Sequence, residues 1–397
     1  MRVKGEKAIT ANLALLAGAA FLLFLGAGAT QQFVVPQLTL ERGFSPQKAS
    51  WVLGTLYLIF PIGRLFSSHM LKGLGVWFGL VLGGLGYAQF PLLVANGAPF
   101  GLLVASAGAW GAAAALFWVA GGAEALRVSS ERYRGLASGV FMGAVFTGQA
   151  SGVVGQGWLI TRLGSTWTFE LSCLVTLLGC LLLALLPREL GDYAEPSLRR
   201  ALAYFRNPAF TVAAGYQFVM SLGLGAVFGL LGGASGEEFG LGEVGIATGA
   251  YYVTRIALAP LAGRLSDLLG RTRMMTLAFL IGGFGLAWGA WQLTLPALIL
   301  AAICLAVSGT VVPICALALA GDVAAPGERH LSLSALFAAG DFGVALAIIG
   351  GQYMRLLVAN SSYAVPFGVL AGVMLLTAFA ALGVELRSRL ARPAEVS

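Results

Sequence analysis

The sequence predicts an all-α integral membrane protein with twelve transmembrane helices in two pseudo-symmetric six-helix bundles. Three observations carry that prediction. The 397 residues are 58% hydrophobic and only 10% charged, with mean hydropathy +0.86, more apolar surface than a water-soluble globule can hide. Twelve mostly apolar stretches are each long enough to cross a hydrocarbon core of roughly 30 Å, which takes about 20 helical residues. The first half also repeats in the second. Pro61-Ile62-Gly63-Arg64-Leu65 returns as Pro260-Leu261-Ala262-Gly263-Arg264-Leu265, Glu131-Arg132 as Glu328-Arg329, and Val153-Val154-Gly155-Gln156 as Ile348-Ile349-Gly350-Gly351-Gln352, at separations of 196 to 200 residues. The even apolar–polar alternation of an outer-membrane barrel does not occur.

The first span, 9–36, outlasts a signal-peptide core and lacks a small-residue cleavage pattern, so it reads as permanent; Gln31 and Gln32 lie near its far end. Span 48–71 carries Tyr57, Gly63 and Arg64. Spans 74–95 and 99–126 follow after short loops, the second with Trp110, Trp118 and Glu124. Span 133–161 holds Gln149 and Gln156, and span 166–187 holds Glu170, Cys173 and Cys180. Pro187 to Pro208 is the only long polar interruption and marks the boundary between residues 1–187 and 209–397, with 188–208 as a central cytoplasmic loop. Within that loop Ser197 can cap a short helix with Leu198, Leu202 and Phe205 set against Arg199, Arg200 and Arg206, a pattern suited to an anionic leaflet.

In the second half, span 209–233 carries Tyr216 and Gln217, and span 243–268 carries Tyr251, Tyr252 and Arg255. Spans 273–293 and 295–320 come next, the latter with Cys304 and Cys315; 330–357 carries Asp341 and Gln352, and 363–386 ends the series. The four cysteines lie in apolar runs without metal-ligand spacing and read as small core residues. No metal or cofactor is expected. Glycines at four-residue spacing, such as Gly148 and Gly152 or Gly225 and Gly229, let helix backbones approach closely in lipid.

The net charge of +7 could suggest nucleic acid, but its distribution argues for membrane topology. With the N-terminus inside, 19 of the 24 basic residues fall on the cytoplasmic side, so both termini are expected in the cytoplasm of a multi-pass inner or plasma membrane protein. Lipid, a small-molecule substrate and a coupling ion such as a proton are the expected partners. Nucleic acid is not.

Gly263-Arg264-Leu265-Ser266-Asp267-Leu268-Leu269-Gly270-Arg271-Thr272-Arg273 closely resembles the signature loop of the major facilitator superfamily, and the six-plus-six repeat extends the resemblance over the whole chain. The resemblance implies gating roles for Gly263, Asp267, Arg271 and Arg273, and for Arg64 and Arg132 on the cytoplasmic side of the first half. The first-half copy departs from the pattern, since Ser67 stands where the acid belongs. Gly148-Gln149-Ala150-Ser151-Gly152 is similar to the exporter motif of the superfamily but has Gln149 in place of proline.

Arg255 lies near the middle of its span, about 18 Å from Asp267 along the helix. An unpaired midplane arginine costs roughly 2.5–3.5 kcal/mol on insertion scales, so such a residue faces a cavity, a partner or a substrate. Two readings compete: a permanent structural pair with Asp341, or a fixed positive charge for an anionic substrate, with Asp341 competing for it or carrying the driving proton. A basic residue here is also similar to oxalate/formate and monocarboxylate carriers of the superfamily. Tyr57, Trp110, Gln149, Gln31, Gln217, Tyr251 and Tyr252 complete the expected substrate-binding set.

The predicted function is alternating-access transport of a small solute, with a small organic anion as the first substrate class and efflux of amphiphilic or drug-like compounds as the alternative. A membrane enzyme would need a nucleophile or metal cluster near the interface, which two histidines and scattered cysteines do not supply. A channel or a transporter-derived receptor would be told apart by flux insensitive to trans substrate, or by binding without flux.

Overall fold

The computed structural model describes residues 9–129, 133–188, 197–324, 329–358 and 362–390, and among these all regular structure is helical. Twelve long helices carry the chain. They are α1 (Ala11–Leu40), α2 (Pro46–Leu74), α3 (Val76–Ala95), α4 (Phe100–Arg127), α5 (Arg134–Leu163) and α6 (Ser165–Ala184), then α7 (Pro208–Phe239), α8 (Leu241–Leu269), α9 (Arg271–Gln292), α10 (Leu295–Val323), α11 (Arg329–Met354) and α12 (Ala364–Leu390). Eleven are long and apolar enough to cross a membrane. The twelfth, α8, matches them in length but carries Tyr251, Tyr252 and Arg255 at its centre, which lowers its hydropathy.

Local chemistry sets the joints. Ser45 caps α2 by accepting from Lys48 N, and Asn207 caps α7 by accepting from Ala209 N at 2.9 Å, each with a proline opening the helix. Gly75 and Gly270 turn α2 into α3 and α8 into α9 in a single residue, at φ 81° and 86°. L side chains rarely adopt that conformation, so glycine is required at both repeat-related positions.

Both halves break their first helix. Phe24–Gly28 in α1 and Ala226–Leu231 in α7 are wound as π-helix, and Gly26 departs from helical geometry altogether at ψ −110°. Such breaks release backbone carbonyls inside the membrane, where an unsatisfied group is costly. A glutamine from the fifth helix of each half covers them. Gln156 Nε2 donates to Leu25 O and Gly26 O, at 3.1 and 2.8 Å, and Gln352 Nε2 donates to Gly229 O at 3.0 Å. The two clamps are repeat-related, since Gln156 and Gln352 hold equivalent places in the two halves.

The halves meet along α1–α7, α2–α11 and α5–α8. Gln47 Nε2 donates to Gln352 O at 3.0 Å and Trp51 Nε1 to the Tyr353 hydroxyl at 3.1 Å. A Cβ placed on Gly157 would stand 2.9 Å from Gly245 Cα, so the α5 and α8 backbones touch there. All these contacts lie at the end bearing the α1–α2 and α7–α8 loops. Gly139 and Gly143, in the opposite half of α5, have open space where a side chain would be. Next to the sealed end, Arg355 holds Glu237 through two hydrogen bonds of 3.0 and 2.7 Å, and Tyr363 donates to the same carboxylate at 2.8 Å. These tie α11, α7 and the start of α12 together.

Candidate functional site

The break in α1 organises the centre. The carbonyl of Gly28 accepts from Gln31 Nε2 at 3.0 Å and from Gln149 Nε2 of α5 at 2.9 Å. Tyr57 of α2 donates its hydroxyl to Gln31 Oε1. From the second half, the Tyr252 hydroxyl accepts from Gln32 Nε2 at 2.8 Å and lies 3.3 Å from Gln149 Nε2. Tyr57 also stacks on Phe228, in the broken stretch of α7, with ring centroids 5.3 Å apart and planes 22° apart. Gln31, Tyr57, Gln149 and Tyr252 thus meet in one buried network that crosses the seam between halves, as a midplane site between repeats requires.

Arg255 sits one turn along α8 from Tyr251. Its Nη1 donates to the Tyr251 hydroxyl at 3.4 Å, and its guanidinium lies 4.5 Å from the centre of the Phe146 ring on α5 and 5.4 Å from that of Tyr251. Aromatic faces compensate part of the cost of a desolvated cation. Its Nε is buried without a hydrogen-bond partner, and among the described residues no carboxylate pairs with it.

The pairing of Arg255 with Asp341 weighed from the sequence is not what forms. Asp341 of α11 pairs instead with Arg64 of α2, Nε to Oδ2 at 3.1 Å. The angle at that contact is not that of a hydrogen bond, and both atoms are buried with no other partner, so the contact is a bare ion pair. Phe60 and Phe337 flank the Arg64 guanidinium at 4.4 and 5.2 Å. Arg64 lies within α2, which continues ten residues beyond it to Leu74, about 15 Å of helix. Ser67, in the place of the signature acid, returns its hydroxyl to Gly63 O at 2.7 Å within its own helix.

Other predicted residues lie elsewhere. Trp110 is fully buried against Tyr87 and Phe90, ring centroids 5.3 and 5.0 Å away, inside the α3–α4 packing of the first half and apart from the network. Gln217 lies beside Gly340, next in sequence to Asp341, with its Oε1 buried and unpartnered. Arg271 pairs with Asp322 at 2.5 Å, which joins α9 to α10 within the second half. Gly263 and Asp267 fall on the last turns of α8, though their surroundings lie outside what is described, as does Arg132 altogether. Arg273 lies in the first turn of α9. The aromatic partners Phe60, Phe146, Phe228 and Phe337 were not anticipated. A sequence with 24 phenylalanines gives no signal for which of them will face a guanidinium.

Two stretches, 16–232 and 213–396, each match the family model described as Major Facilitator Superfamily. No curated protein sequence matches the chain. Among solved structures, the fold is similar to that of a variant of the nucleoside transporter NupG, with TM-score 0.79 and 12% identity over 94% of this chain and 99% of that one. It is also similar to a variant of the peptide transporter POT in complex with alafosfalin, with TM-score 0.76 and 13% identity over 94% of each chain. At such identity the likeness is one of fold.

Proposed function

Because the chain belongs to the major facilitator superfamily, and is thus a multi-pass membrane transporter and not an enzyme, we propose that it moves a small organic anion across the cytoplasmic membrane by alternating access. The observation that carries the substrate class is Arg255: a guanidinium at the middle of α8, at the seam between the halves, held by the Phe146 ring and by the ring and hydroxyl of Tyr251 and, among the described residues, by no carboxylate. A carboxylate or similar oxyanion would satisfy its open donors, in the bidentate geometry that arginine favours. Tyr252, Gln149, Gln32 and Tyr57 offer hydroxyl and amide groups around the same seam for the rest of the solute.

Asp341 is the coupling acid in this reading. Paired with Arg64 it ties α11 to α2; protonated, it releases that arginine and frees the halves to rock. The contacts at the α1–α2 end close that face, which the positive-inside distribution assigns to the outside, with both termini and the central loop in the cytoplasm. The domain limits remain those proposed from the sequence, 1–187 and 209–397 about the loop 188–208.

A ligand-stabilisation screen of the purified protein tests the substrate class, because specific binding raises apparent stability by mass action. Small carboxylates should raise the unfolding midpoint in wild type and fail to do so in Arg255→Ala. Stabilisation by lipophilic cations alone would overturn the anion reading.

A further inference from the structure

We propose that the linker between α6 and α7 is a docking surface for anionic phospholipid, with Arg199 and Arg206 holding the headgroup phosphate. Leu198–Ala203 forms a short helix continued by Tyr204–Arg206. It is fixed from below: Ala201 is buried in a cluster with Phe210, Leu331, Leu336 and Ala320, while Tyr204 and Phe205 pack on Phe210 with ring centroids 5.5 and 5.2 Å away. Thr211 Oγ1 donates to Phe205 O at 2.8 Å, which holds the end of the segment against α7. The linker is therefore a built element.

Its outer side is apolar where a solvated loop would be polar. Leu198, Leu202 and Phe205 fall at i, i+4 and i+7, one helical stripe, and are 40%, 52% and 38% exposed. Arg199 and Arg206, seven residues apart, share the flank of that stripe. An open groove of about 540 Å³ runs along it, lined by Leu198, Arg199, Leu202, Ala203 and Arg206. Two guanidiniums beside exposed leucines fit a phosphate with acyl chains attached. The linker joins helices that end at one face of the bilayer, which places this side at headgroup depth, where basic amphipathic segments favour anionic lipid.

Native mass spectrometry of the full-length protein tests this, with phosphatidylglycerol, phosphatidylcholine and inorganic phosphate titrated separately. Wild type should retain phosphatidylglycerol over phosphatidylcholine, and R199A/R206A should bind phosphatidylglycerol about thirtyfold more weakly, with a smaller loss for phosphatidylcholine, whose phosphate is offset by its own choline, and an unchanged unfolding midpoint. L198S/L202S should weaken both lipids, since it removes acyl contact without touching charge. Equal phosphatidylglycerol affinity in wild type and R199A/R206A, or equal retention of the two lipids by wild type, would overturn the proposal. So would displacement of phosphatidylglycerol by millimolar inorganic phosphate, which would make this a site for the free ion.

Discussion

Asp341 of α11 takes Arg64 of α2 as its ion-pair partner across the seam between the halves, at 3.1 Å and without hydrogen-bond geometry. The pair is mostly buried, with 15% and 17% of the two side chains exposed. Desolvation therefore offsets much of the Coulomb gain, and the pair is poised more than locked. Its consequence for the site is indirect. With Asp341 engaged on the α2 side, Arg255 on α8 keeps its charge free of an acid among the described residues.

A double-mutant cycle measures that pairing. Asp341→Asn and Arg64→Gln should each lower the stability of the purified protein, and the double variant should lose less than the sum, with a coupling of about 0.5–3 kcal/mol. Strict additivity would show that the two charges do not interact.

Transport under a proton gradient separates coupling from binding. Asparagine keeps the size of Asp341 but cannot ionise, so Asp341→Asn should abolish accumulation driven by a pH gradient and leave exchange of substrate for substrate in place. If the variant still accumulates solute uphill under a pH gradient, Asp341 is not the coupling acid.

The two glutamine clamps should behave alike. Gln156→Leu strips partners from Leu25 O and Gly26 O, and Gln352→Leu strips one from Gly229 O. Gly26 O keeps a 3.4 Å bond from the Thr30 hydroxyl, whereas a buried carbonyl left unpaired costs about 1–3 kcal/mol, so both variants should unfold at lower temperature. A variant with an unchanged midpoint would show that the break it covers is satisfied some other way.

Close backbone contact at the sealed end makes a separate prediction. A Cβ on Gly157 would lie 2.7 Å from Gly242 O and 2.9 Å from Gly245 Cα, and both obstacles are backbone. Gly157→Leu should hold α5 and α8 apart, so spin labels at their loop ends should report a longer separation than in the parent. An unchanged distance distribution would show that this contact does not set the closure.

Much of this architecture was legible before any coordinates. Twelve apolar runs and a repeat of nearly constant offset specify the helices and their pairing into halves, because lipid forces every span to satisfy its own backbone. Arg255 stood out since a charge at mid-span is costly wherever it falls. The repeat also paired Gln156 with Gln352, although the helix breaks that they cover left no mark in the hydropathy. Partner choice was not legible. Asp341 and Arg255 lie at similar depth on their helices, but α11 packs along α2 while α8 packs along α5, and that arrangement brings Arg64 to the acid and Phe146 to the other arginine. Trp110 misled for a related reason. A tryptophan in a span looks the same in sequence whether it lines a cavity or fills the α3–α4 core.

Counterflow into proteoliposomes tests the central claim most directly, with internal small carboxylates and labelled external carboxylate compared for wild type, Arg255→Lys and Arg255→Ala. The account predicts trans-stimulated uptake in wild type, reduced uptake in Arg255→Lys, and a loss of at least about tenfold in Arg255→Ala, the size of one charge-assisted contact, while the protein stays folded. Carboxylate exchange by Arg255→Ala at the wild-type rate would contradict it.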